Sequence, residues 1–96
     1  MVIGVCRLAL HLPENRSLKG KRQVVRSIVD RVRQRFDVAI AEVDDLDQWQ
    51  SAVLGIACVS TETAHANQML DAVVRFVEGA RVEAHVIDYA LEFLHV

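Results

Sequence analysis

Cysteine, proline, glycine and aromatic residues are all scarce in this sequence of 96 residues, which has two Cys, one Pro, four Gly, one Trp, one Tyr and three Phe. Each scarcity excludes something. Cys6 and Cys58 form no C-x-x-C motif and no disulfide framework. They read as small core hydrophobes, and they set the expectation of a reducing, cytoplasmic setting. One proline beside 52% hydrophobic residues excludes a disordered chain. No apolar run approaches the ~20 residues of a membrane span. Met1–Leu12 has neither a charged n-region nor a small-residue cleavage site, so neither a membrane partner nor a signal peptide is expected. The few aromatics form no RNP-like string. His11, His65, His85 and His95 are scattered without metal-ligand spacing. No catalytic residue, metal or cofactor is therefore expected.

Charge is not scarce, but it is segregated. Residues 1–36 hold nine Lys/Arg against two Asp/Glu, and residues 37–96 hold two against eleven. The formal net charge of −2 conceals this. Most of the positive charge lies in Arg16–Phe36. Ser17 is a natural N-cap there, and Leu18, Val25, Ile28, Val29, Val32 and Phe36 recur at helical spacing. At ~100° per residue, Lys19, Arg22, Arg26 and Arg33 share one flank of that stripe. Gly20, a poor helix former, marks either a frayed first turn or a close backbone approach.

The remaining elements follow in order. Val2–Leu12 alternates as a strand, with Cys6, Leu8, Leu10 and Leu12 toward the core and Ile3, Val5, Arg7, Ala9 and His11 away from it. Asp37–Asp44 reads as a short strand, 44–49 as an acidic loop over which Trp49 folds as an anchor, and Gln50–Ser60 as a second apolar strand. Ser60 or Thr61 caps a second helix with the stripe Ala66, Met69, Leu70, Val73 and Val77, closed by Gly79. Arg81–Leu94 is the last strand. The order β-α-β-β-α-β over a single domain, 1–96, fits an α+β ferredoxin-like sandwich: a four-stranded antiparallel sheet with both helices on one face. Strands one and three are expected at its centre, running parallel and holding the two thiols apart. Strands one and four are expected to place Val2 opposite Phe93, Ile3 opposite Glu92 and Arg7 opposite Asp88, with Ile87 on the helix side.

The strings LPENRSLKGKR, AEVDDLDQWQ and AVLGIACVS make the chain resemble the YlxP-like family, an uncharacterised bacterial domain family, nearly end to end. The resemblance implies a ferredoxin-like fold. It also implies a setting in translation or ribosome maturation, because members often lie beside genes for such factors and are sometimes labelled ribosome-binding factors. It brings no catalytic residue and no cofactor.

Two binding surfaces emerge. The first is the basic helix, where Arg16, Ser17, Lys19, Lys21, Arg22, Arg26 and Arg33 suit the phosphates of RNA or the ribosome, aided by the helix N-terminus. The alternative there is that the acidic half folds back and screens the helix. The second is the open sheet face, where Ile3, Val5, Arg7, Val53, Ala57 and Val59 form a small, apolar surface suited to a homodimer or another protein. That face carries no aromatic, unlike the base-stacking sheet of an RRM. The loop carboxylates Glu42, Asp44, Asp45 and Asp47 are hard oxygen ligands, but their spacing does not match a calcium loop, and a solvated hairpin is the simpler reading. The fold is shared with acylphosphatases, whose glycine-rich phosphate loop with its arginine has no counterpart after the first strand. A non-enzymatic binding protein is the expectation.

Overall fold

A computed structural model describes residues 1–96. Strand β1 (Val2–His11) leads to helix α1 (Leu18–Arg35), then to strands β2 (Ala39–Asp44) and β3 (Ser51–Ser60), helix α2 (Thr63–Ala80) and strand β4 (His85–His95). The sheet order is β2-β3-β1-β4 and every neighbouring pair is antiparallel. This is the α+β ferredoxin-like arrangement, with β1 and β3 central. The expected parallel pairing of β1 and β3 is wrong. The β2–β3 hairpin reverses direction, so β3 enters beside β1 running against it.

Alternation in β1 follows the pleat. Val2, Cys6, Leu8 and Leu10 are buried, as is Leu12 just beyond, and they meet Ala52, Leu54, Ile56 and Cys58 of β3 on the same face. The helices lay their stripes over that face: Val24, Val25, Ile28, Val29 and Val32 from α1, and Ala66, Leu70, Val73, Val74 and Val77 from α2. Gly4 lies under α2, where a Cβ would stand 3.0 Å from Leu70 Cδ1 and 3.1 Å from Cys58 Sγ. Its missing side chain is what lets that helix approach the sheet.

The helix ends depart from expectation. Ser17 caps α1 as expected, its Oγ accepting from Gly20 N at 2.9 Å. At α2 the cap position is Glu62, with no side-chain cap bond, while Ser60 Oγ accepts from Glu62 N at 3.2 Å. Gly79 lies inside the last turn at negative φ, and α2 ends on the extended Arg81. The Arg81–Ala84 stretch is a turn rather than strand, held by a two-bond pair from Arg81 to Glu83 that pulls the Glu83 carboxyl down to about 2.

Register between β1 and β4 is also shifted. Val2 faces His95, Ile3 faces Leu94, Arg7 faces Ala90, and Asp88 faces Ala9. A bulge falls where the pairing jumps from Asp88 to Val86, and it leaves Ile87 exposed instead of on the helix side. One extra residue in a strand re-aims everything beyond it.

Both thiols are free and buried. Gly4 faces Cys58 and Cys6 faces Ile56, so the cysteines are diagonal neighbours, a relation that puts Cα atoms ~7–8 Å apart and beyond an unstrained bridge. Burial pushes the Cys6 thiol up to about 11 and raises Cys58 as well. Both stay protonated in the fold, whereas the unfolded chain releases the protons near 9. The stabilising contribution of Cys6 is thus complete below pH 9 and is lost as pH rises toward 11, and Cys58 acts in the same direction. At pH 8 a thiol reagent should label the native protein far more slowly than the urea-unfolded chain. Equal labelling rates would contradict the burial.

Candidate functional site

The first turns of α1 divide the basic residues into two groups. Lys21 stands at the centre of the apolar stripe, because Lys21, Val25, Ile28 and Val32 follow i, i+4, i+7, i+11 spacing. Its side chain is 0% exposed. It is therefore removed from the phosphate-facing set, and this corrects the sequence reading. The Nζ reaches across to the β2–β3 loop, donating to Asp45 O at 2.7 Å, Leu46 O at 3.2 Å and Ser51 O at 3.2 Å. An ammonium has three N–H donors, so three carbonyls occupy them all. Glu42 Oε2 lies 2.9 Å from Nζ and has no hydrogen-bond partner. It neutralises the lysine by charge rather than by a directed bond.

A second set of contacts joins the same two segments. Asn15 Nδ2 donates to Ser17 O and to Trp49 O. Gln50 Nε2 donates to Pro13 O at 3.1 Å and Asn15 O at 3.2 Å, and Leu12 N donates to Gln50 O at 2.9 Å. Thus LPENRSLKGKR and AEVDDLDQWQ, far apart in the chain, form one braced corner. Gly20 belongs to it, since a Cβ there would fall 2.4 Å from Asn15 Oδ1. The close-approach reading of this glycine is the one the structure bears out. Gly20→Ala should gain ~1 kcal/mol of helix propensity yet lower the melting temperature, because it displaces a side chain tied by two hydrogen bonds. A raised melting temperature would mean that Asn15 turns aside at no cost.

The other basic residues are outside. Arg16, Lys19, Arg22 and Arg26 are exposed, and none takes part in an ion pair or a side-chain hydrogen bond. Arg33 is also exposed, but it donates to Ile40 O at 2.9 Å. Arg31 donates to Ala80 O, and the Arg35 guanidinium lies 5.1 Å from the Phe76 ring centre. Asp30 is exposed between Arg26 and Arg33 on the same flank. The uninterrupted positive patch is therefore Arg16, Lys19, Arg22 and Arg26. The Ser17 hydroxyl is occupied by the helix's own amide.

On the open face, Ile3, Val5 and Ala57 are half-buried, Arg7 is exposed and Val59 is 64% exposed. Val53 also belongs to this face by register but is buried, and so offers no surface to a partner. Arg7 crosses β3 to reach Asp44 at 2.6 Å, not Asp88. Gly55 is the residue opposite it in β3, and Val43 fills the space a side chain there would take. That hydrogen bond holds the Asp44 carboxyl below its usual range. Glu42 and Asp44 are thus each committed to a cation of the chain and do not converge with the other loop carboxylates. Trp49 is 54% exposed rather than folded down as an anchor.

The sequence matches the model of a family described as "Protein of unknown function (DUF503)" over residues 3–91. It is 34% identical over 77 residues to a Bacillus subtilis (strain 168) protein titled "Uncharacterized protein YlxP", an alignment spanning 80% of this chain and 84% of that one. Among solved structures it is similar to "De novo designed protein Foldit4", with a TM-score of 0.54 and 9% identity over 100% of this chain and 99% of the other. At that identity the likeness is one of fold alone.

Proposed function

The chain belongs to the DUF503 family of proteins of unknown function, and from that premise and the geometry above we propose that it is a non-enzymatic, cytoplasmic RNA- or ribosome-binding protein acting through the first three turns of α1. One observation carries this reading: Arg16, Lys19, Arg22 and Arg26 are exposed and form no ion pair within the chain. Four carboxylates of the acidic half are committed elsewhere. Glu42, Asp44, Asp71 and Glu83 pair instead with Lys21, Arg7, Arg75 and Arg81. Four unpaired cations on a rigid helix are the electrostatic footprint of a polyanion.

Binding of single-stranded RNA measured over a salt series is the test. Four phosphate contacts correspond to a slope of log K against log salt of about −3. A flat dependence would sink the proposal. It would favour a second reading, self-association through the open face, which rests on the exposed Val59, Ile87 and Leu94 there and does not depend on screening.

A further inference from the structure

Trp49 is the chain's single tryptophan, and more than half of it faces water. An exposed indole leaves a large apolar area unburied. It is nonetheless held in place. Its carbonyl accepts from Asn15, the next residue is tied to Pro13 and Asn15, and Lys21 grips the loop at Asp45, Leu46 and Ser51. Asp45, at φ 58°, makes the turn that starts the loop. The indole is therefore presented on a braced support.

Its surroundings specify a ligand. Trp49 borders an open depression of about 540 Å³ lined by His11, Asp47, Gln48, Trp49, Gln50 and Ser51. Asn15, which holds the Trp49 carbonyl, directly precedes Arg16, the first residue of the positive patch. Asp47 would repel a phosphate inside the depression, but a carboxylate accepts well from the imino and amino donors of a base edge. Phosphates outside and a base inside is the division that single-strand binders use, with aromatic stacking beside a positive track.

We propose that Trp49 stacks one unpaired base of the RNA strand held by Arg16, Lys19, Arg22 and Arg26, and that Asp47 favours guanine there. This rests on the basic-face reading. It also supplies the aromatic platform that the open sheet lacks, from the loop instead.

With one tryptophan, fluorescence reports the platform directly. The probes are a seven-nucleotide RNA with a central guanine among uridines, the all-uridine equivalent, and a blunt RNA duplex. The guanine strand should quench the emission saturably and bind roughly fivefold or more tightly than all-uridine, and the duplex should not quench. Trp49→Ala should weaken single-strand binding by about five- to 100-fold, as for loss of one stacked base, with the salt slope unchanged. Trp49→Phe should recover part of it, and Asp47→Asn should erase the guanine preference. Binding without quenching, quenching by the duplex, or wild-type affinity in Trp49→Ala overturns the stacking site and leaves the basic face standing. A guanine preference that persists in Asp47→Asn overturns the role of Asp47. Quenching that survives reversal of Lys19, Arg22 and Arg26 overturns the basic face instead. No binding by the folded wild type overturns both.

Discussion

Lys21→Met is expected to cost about 3–5 kcal/mol, the range for removing one partner of a buried ion pair, out of a total stability of ~5–15 kcal/mol for a small domain. Methionine keeps the apolar stem but removes the ammonium. Three loop carbonyls then lose their donor, and Glu42, whose side chain is only 13% exposed, keeps its charge without a counter-ion. The loop from Asp45 to Ser51 would lose its tie to α1, and Trp49 with it. Urea unfolding measures the effect, as a midpoint lowered by roughly 1–5 M at ~1–3 kcal/mol per molar. Adding Glu42→Gln to Lys21→Met should recover part of the loss, because the stranded charge is gone. For comparison, Arg7→Ala breaks a pair exposed on both sides and should cost under ~1 kcal/mol. If Lys21→Met and Arg7→Ala cost the same, the lysine does not hold the corner together.

Reversing Lys19, Arg22 and Arg26 to Glu should produce the largest change in binding. These side chains lie off the apolar stripe and outside every ion pair, so the folded state should survive with surface-level changes in stability. Of four phosphate contacts only Arg16 would remain, and the salt slope should collapse from about −3 to below −1 in magnitude. Repulsion from three new carboxylates should reduce ribosome co-sedimentation at low salt to background. Arg33→Glu alone should do little by comparison, since that guanidinium already donates to Ile40 O. Undiminished co-sedimentation by the folded triple variant would remove α1 as the interface.

The sequence by itself determined whatever depends on local periodicity and local chemistry. Period two in Val2–Leu12 chose the buried face of β1, and period 3.6 in Leu18–Phe36 chose the buried face of α1. Ser17 set the start of that helix because its hydroxyl needs only the amide of Gly20. The β-α-β-β-α-β order then left few topologies. The fate of Lys21 was half legible, since its position at the centre of an apolar stripe marks it as buried. What makes burial tolerable, a cage of carbonyls from a loop more than twenty residues on, is not written in local spacing. Tertiary structure alone decided the partner of Arg7 and the β1–β4 register. Val2–Ala9 pair two residues further along β4 than expected, a bulge at Ile87 changes the register by one at the far end, and Arg7 finds its partner at Asp44, two strands away. It also decided that Trp49 stays in water, because its loop is fixed from outside by Asn15, Gln50 and Lys21. Periodicity reports which way a side chain points from its own backbone. Which foreign backbone lies there depends on how separate elements dock, and a one-residue change in docking reassigns every partner.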